Sequence, residues 1–296
     1  MFYRILLAGL VLLFASSCSK DLDSQTPDND TNKALVPVTV HVTGFSVSQE
    51  DFPETRATAL GGYDDINTVT LAFYNGTTEV EKITQLKTDN TTYTTFGDFS
   101  LSLPMGSYTM VVVAYKVSDS SPFTLTSATE AAYTGAHAFD TFVKKQTVNI
   151  TSTDAVDISA TLERVVSLLK VVSTDGKTAG VTNVRMTLSA GGRSFNPSTG
   201  QAISNTGFVN TVGNTKPVGS TTESLTYLFL DTDEQTMDVT IETLNNETVI
   251  FSKTVTNVPF KRNRKTILTG AMYTNTSTAG SFQVDIDWLT DAEVNF

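Results

Sequence analysis

The chain has 296 residues, 40% of them apolar and only 17% charged, which suits about two domains with a sizeable core. With 31 acidic against 20 basic residues the net charge is -11, which excludes a nucleic-acid partner, because that binding relies on a basic footprint to release counterions. A single cysteine excludes an internal disulfide.

The first segment, MFYRILLAGLVLLFASSCSKD, has one early cation, Arg4, and an apolar run from Ile5 to Phe14 that is too short to span a bilayer. Small residues Ala15, Ser16 and Ser17 follow, the pattern of a secretory signal peptide over residues 1–17 cleaved between Ser17 and Cys18. Cys18 stands where a bacterial lipobox places the thiol that is acylated and becomes the mature N-terminus. Each buried methylene contributes about 0.8 kcal/mol, and stable anchoring needs more than one chain, as a lipoprotein has. The expected product is membrane-held without a spanning segment. Residues 18–34 are polar and acidic, a lipidated flexible tether. Ser19, Lys20, Asp21 and Asp23 resemble the surface-export signal of Bacteroides-type lipoproteins; a plain solvated spacer is the other reading.

Beyond the tether nearly every periodic segment has period two. LVPVTVHVTGF puts Val36, Val38, Val40 and Val42 on one face and Pro37, Thr39, His41 and Thr43 on the other. INTVTLAFYNG ends at an Asn75-Gly76 turn, and FSLSLPMGSYTMVVVAY breaks at Pro104 and Gly106 before resuming. Further strands are expected at 146–151, 155–162, 164–173, 181–190, 225–231, 236–244, 247–257, 264–273 and 281–296. Short strands rich in Val and Thr, separated by Gly, Asn, Asp and Pro turns, describe an all-β protein of sandwich type. The Ala-bearing stretch 126–142 lacks strict alternation and is the one place left for a helix. The expected division is a sandwich over 35–162 and another over 163–296, each of about seven strands.

The C-terminal segment GSFQVDIDWLTDAEVNF puts Phe282, Val284, Ile286, Trp288, Val294 and Phe296 on one face. Each would contribute about 1.5–3 kcal/mol on burial, against about 1–2 kcal/mol per residue for ordering the backbone. Such a ladder is stable only when hydrogen-bonded into a sheet, so it is either the last strand of its own sandwich or a strand donated to a partner. Only eight residues follow Trp288, which favours the first.

No catalytic constellation is present, and neither an enzyme, a cofactor nor a metal is expected. His41 and His137 lie far apart, His41 on the polar face of a strand, and there is no nucleophile elbow, P-loop or paired Cys/His set. Carboxylates at 231–238, or the Asp64-Asp65 pair, are candidate calcium ligands without EF-hand spacing, and solvated acidic loops explain them as well. The basic run Lys261, Arg262, Arg264 and Lys265 reads either as a docking patch for an acidic partner or polysaccharide, or as charge solvating a hairpin turn before TILTGAMY; the turn is preferred.

A lipobox, an acidic tether, a strand of alternating valines, then LPMGSYTMVVVAY, LERVVSLLKVV, VPFKRNRKTILTG and a last strand containing DIDW together resemble the fimbrillin and fimbrial-anchor superfamily of Bacteroidales type V fimbriae over residues 18–296. Each motif is ordinary strand and turn chemistry; their order carries the likeness. The resemblance implies two tandem transthyretin-like, Greek-key β-sandwich domains in a lipoprotein of the outer membrane, surface-exposed and part of a fimbrium. It also implies partners: other fimbrial subunits, the membrane through acylated Cys18, and surface ligands of host or bacterium. In shaft and tip subunits of that superfamily an arginine-specific protease is thought to cut after the first strand, which then leaves a groove filled by a neighbour's C-terminal strand; anchor subunits keep lipid and strand. Here the matching bond is Arg56-Ala57 in DFPETRATAL, a stretch that reads as loop, and the strand that would leave carries Val36, Val38, Val40 and Val42. Arg56 as an ordinary loop arginine is the other reading. The expected function is an anchor, minor or tip subunit with adhesion as a further role; a surface glycan-binding lipoprotein of a nutrient-uptake system is the alternative from another class.

Overall fold

Alternation becomes strand almost everywhere in the computed structural model, which describes residues 34–47, 56–58, 65–274 and 282–288. The first ten strands are β1 (Leu35–Val47), β2 (Arg56–Thr58), β3 (Thr68–Asn75), β4 (Thr78–Leu86), β5 (Asp98–Pro104), β6 (Gly106–Tyr115), β7 (Phe123–Ser127), β8 (Glu130–Tyr133), β9 (Thr141–Ile150) and β10 (Val156–Arg164). Eight of them form one hydrogen-bonded sheet in the order β2-β1-β10-β9-β6-β3-β4, with β5 on β1 as well. β10 and β9 share only the pairs Glu163–Val143 and Arg164–Phe142, so the sheet doubles over at that corner. β5, β1 and β10 then face β9, β6 and β3 across a core that holds Val38, Val40, Phe99, Leu71, Phe73, Met110, Val112 and Leu162.

The second half contains β11 (Val166–Ser173), β12 (Asn183–Leu188), β13 (Ser194–Phe195), β14 (Phe208–Gly213), β15 (Glu223–Phe229), β16 (Glu234–Asn245), β17 (Thr248–Lys261), β18 (Arg264–Gly270) and β19 (Gln283–Trp288). Two four-stranded sheets, β15-β11-β18-β19 and β14-β12-β16-β17, pack around Leu169, Val171, Met186, Val239, Ile241, Phe260 and Leu268. The two halves repeat one arrangement. β1 lies between antiparallel β5 and parallel β10, and β11 between antiparallel β15 and parallel β18.

A third apolar cluster joins the halves. The run MVVVAY in β6 is apolar at consecutive positions because both of its faces are covered: Met110, Val112 and Ala114 enter the first core, while Val111, Val113 and Tyr115 meet Tyr133, Val166, Leu168, Phe195 and Phe229. Phe195 stacks on Phe229 with ring centroids 4.4 Å apart. β7, β8 and β13 form a small sheet over this junction, so residue pairs of that sheet come from both halves. This corrects the helix allowed at 126–142, a stretch that holds the end of β7, strand β8, turns and the start of β9; the described residues contain no helix. The physical reason is burial at alternate positions, with Ala131 and Tyr133 buried and Glu130 exposed, which only a strand can satisfy there. β4, β7, β13 and β14 were also unanticipated, and among the described residues the strands number ten and nine rather than about seven in each half.

At the chain's passage from β10 to β11, Arg164 and Asp140 are both buried. Arg164 donates through Nε to Asp140 Oδ1 at 2.9 Å and through Nη2 to Oδ2 at 3.0 Å, while Nη1 reaches Asn263 Oδ1 at 3.2 Å. The guanidinium lies 4.7 Å from the Phe142 ring centroid. One bidentate pair thus ties β10, the segment before β9 and the turn before β18.

Candidate functional site

Strand β1 is the first element of the candidate site. Val36, Val38 and Val40 are at most 1% exposed and Val42 is buried with them, as period-two alternation demands of a strand with one face in a core. Main-chain pairing holds it on both sides, to β5 from Leu35 to His41 and to β10 from Val38 to Ser46. The register with β10 shifts between Val42 and Gly44, a bulge that lets Phe45 turn inward against Phe142.

On the outward face His41 spans the two neighbours. Its Nδ1 lies 2.9 Å from Asp98 Oδ1 of β5 and its Nε2 3.6 Å from Asp157 Oδ1 of β10. The hydrogen bond to Asp98, opposed by partial burial and helped by both carboxylate charges, raises the imidazole pKa above its usual value. The start of β5 is fixed in turn by buried Gln85, which accepts from Gly97 N and donates to Asp98 O, both at 2.7 Å. Sequence reasoning placed His41 on the polar face but gave no hint of its two carboxylate neighbours, which are 57 and 116 residues away in the chain.

The Arg56-Ala57 bond, expected in a loop, lies in short strand β2, where Val47, Ser46 and Phe45 pair with Arg56, Ala57 and Thr58. The unpaired main-chain groups at that end of β1 account for the difference, because an edge recruits any extended segment within reach. Cys18, Ser17, Val294 and Phe296 lie outside the described residues.

Strand β19 is paired antiparallel to β18, from Gln283 opposite Thr269 to Trp288 opposite Arg264, and among the described residues it is an edge. Phe282 is buried against Gly270, where a Cβ would come within 2.8 Å of its ring. Val284 and Ile286, opposite the core residues Leu268 and Thr266, remain 42% and 43% exposed. Among the described residues the sandwich is open at this edge, because β17 on the facing sheet is itself an edge and has no buried residue before Val258. The link into β19 begins at Met272–Thr274, whose amides all donate to Asp175. Burial works to raise the Asp175 pKa, but these bonds outweigh it and the pKa is lowered.

The basic run and the acidic loop find each other. Lys261 Nζ is 2.8 Å from Glu234 and Arg262 Nη2 2.5 Å from Asp233, while Arg262 N donates to Asp233 O at 2.8 Å. Asn263, at φ 58°, makes the turn. It is a connection between sheets and not the expected hairpin, since β17 and β18 belong to opposite layers. Among the described residues no cluster of three or more metal-ligating side chains occurs, and Asp64 lies outside them. His137 lies with Ala138 and Phe139 beside β14 and β15.

The profile of one family, described as a family of unknown function (DUF6562), matches residues 35–295. The chain belongs to the DUF6562 family. No curated protein matches this DUF6562 sequence. Among solved structures it is similar to a candidate adhesin from Bacteroides ovatus, with 11% identity and a TM-score of 0.53 over 89% of this chain and 97% of that one. It is also similar to the fimbrial anchor protein Mfa2 from Porphyromonas gingivalis, with 12% identity and a TM-score of 0.52 over 86% and 98%. A candidate polysaccharide-binding protein from Bacteroides thetaiotaomicron gives 10% identity and 0.51 over 86% and 98%. At these identities the likeness is one of fold, and at that level it meets the resemblance to the fimbrial superfamily read from the sequence.

Proposed function

We propose that this DUF6562 protein is a non-enzymatic structural subunit of a cell-surface fimbria, an anchor, minor or tip component that joins its neighbours by β-strand addition. The observation that carries the reading is the state of β19: an edge strand whose Val284 and Ile286 alternate toward the core side and are still more than two-fifths exposed. An extended partner segment could complete that edge with main-chain hydrogen bonds and cover both side chains. Likeness of fold to a fimbrial anchor protein supports the same reading.

In this reading the signal peptide is removed before Cys18, acylated Cys18 holds the tether of residues 18–34 in the outer membrane, and domains 35–162 and 163–296 stand at the surface. If Arg56-Ala57 is cut, β1 can leave and a ladder such as Phe282, Val284, Ile286 and Trp288 of a neighbour can enter between β5 and β10. If the bond stays intact, the protein is the anchor.

N-terminal sequencing of protein from the outer membrane and from sheared surface fibres tests this. Fibre-associated protein beginning at Cys18 supports the anchor, and fibre-associated protein beginning at Ala57 supports an incorporated subunit. Absence of the protein from every fibre preparation would overturn the reading. Deleting residues 290–296 separates two roles for the C-terminal segment: loss of the folded monomer supports a strand of its own sandwich, and a stable monomer that no longer joins partners supports a donated strand.

A further inference from the structure

The sheet facing β19 also ends in an open edge among the described residues, and that edge carries a charge on its core side. β17 is the last strand of β14-β12-β16-β17 and pairs with β16 alone. Two irregularities in that register bound a straight run. At one end Ile250 is the extra residue between the pairs Leu244–Val249 and Thr243–Phe251; at the other, Asn257 at φ 55° donates its amide to Asp238 Oδ1 at 2.9 Å. Between these bulges residues 251–255 lie in unbroken register with 239–243, and their free side makes no main-chain hydrogen bond among the described residues. Opposite residues of an antiparallel pair share a face. Phe251, Lys253 and Val255 are therefore on the core side, opposite the fully buried Thr243, Ile241 and Val239, while Ser252 and Thr254 look outward. Lys253 is exposed, and among the described residues it forms no ion pair.

A core-facing cation on an edge strand turns away an apolar strand, because pairing would cover the ammonium with nothing to compensate it. The same charge admits one kind of strand. A carboxylate at the facing position accepts a charge-assisted hydrogen bond from Nζ. Apolar residues two positions to either side extend the face of Phe251 and Val255, the latter packed on the second core. The free main-chain groups of residues 251–255 supply the ladder. We infer that β17 takes an extended segment of another protein with the pattern apolar-x-acidic-x-apolar, its Asp or Glu set on Lys253. The bulges at Ile250 and Asn257 limit the pairing to five residues, and the pattern is symmetric, so it serves either strand direction. This chain does not supply the segment itself. None of the stretches 1–33, 48–55, 59–64, 275–281 and 289–296 contains an acidic residue with apolar residues two positions away on both sides. The ladder Phe282, Val284, Ile286 and Trp288 is apolar at every second position, and Lys253 turns it away in a second copy. The site lies on the sheet opposite β19 and stands whether or not the protein belongs to a fimbria.

The test titrates the full-length protein in detergent into the peptide Thr-Ile-Thr-Glu-Thr-Val-Thr, which carries a neutral fluorescent label, and follows anisotropy. Three further peptides have Gln, Val or Lys in place of Glu. The Glu peptide is expected to bind saturably and at least about tenfold more tightly than the other three. Lys253→Glu, at an exposed position, should invert the order so that the Lys peptide binds best. Hydrogen exchange locates the complex. Amides of residues 251–255 should slow on binding while those of the edge strand β4 stay level, which separates a paired strand from a peptide held by charge alone. The inference is overturned if the Glu peptide fails to bind at about 1 mM, if its Gln or Val counterpart binds as well, if Lys253→Glu leaves the order unchanged, or if exchange at 251–255 does not slow. Failure to bind the full chain that truncation after Trp288 relieves overturns it in favour of residues 289–296 as the occupant. Slowing of the same amides with rising protein concentration alone overturns it in favour of a second copy. Co-sedimentation with fibres is scored separately, so this inference and the fimbrial reading can each fail alone.

Discussion

Strands β1 and β11 hold the same place in the two sandwiches, each between an antiparallel and a parallel neighbour, yet they are secured differently. β11 is covered on both faces, Leu169 and Val171 by the second core and Val166 and Leu168 by the cluster between the halves. β1 buries one face and shows His41 and the threonines of the other to solvent. Equal pairing therefore does not mean equal permanence. Removing a strand with one buried face exposes one core, whereas removing a strand with two buried faces exposes two.

The strongest way to break this comparison is at the joint that leads into β11. Asp140→Ala leaves Arg164 buried without its carboxylate, which should cost about 3–5 kcal/mol, read as a lower urea midpoint reported by both halves together. Next come matched truncations in the two strands. Leu168→Ala in β11 should cost about 2–5 kcal/mol and Val40→Ala in β1 about 2 kcal/mol, since fewer methyl groups leave the core. A larger loss at Val40 than at Leu168 would reverse the ranking of the two strands.

A pH series separates them further. The folded-state pKa of His41 is raised, so its contribution is complete below the unfolded value of about 6.5 and is lost as pH rises through the higher folded value. Amide protection in β1, measured against the intrinsic exchange rate at each pH, should fall across that window while protection in β11 stays level, and His41→Ala should remove the fall in β1. The smallest effect on the fold is expected at the far edge. Ile286→Ser, at a side chain 43% exposed, should lower monomer stability by less than about 1 kcal/mol. The same substitution should weaken partner joining, measured by co-sedimentation with fibres.

Much of the sandwich was legible because alternation is local. The four valines of β1 follow from residues two apart, and so does the all-β class. The helix at 126–142 failed because Ala131 and Tyr133 are selected by a junction made of residues from β6, β11 and β15, which no window of local sequence contains. β14 was missed for a related reason: its one buried position, 210, is an asparagine, so the apolar period is broken where burial would have marked it.

The sequence by itself determined strand content, the inward face of β1 and the turn at Lys261–Lys265, because side-chain direction in a strand depends only on parity and a turn on a few adjacent residues. Tertiary structure alone decided the rest. It paired β1 with β10 in parallel, set His41 between two carboxylates, buried Arg164 against Asp140 and left Val284 and Ile286 half in solvent. Each of these depends on which distant strand lies alongside, and alternation gives a strand its faces but not its neighbours.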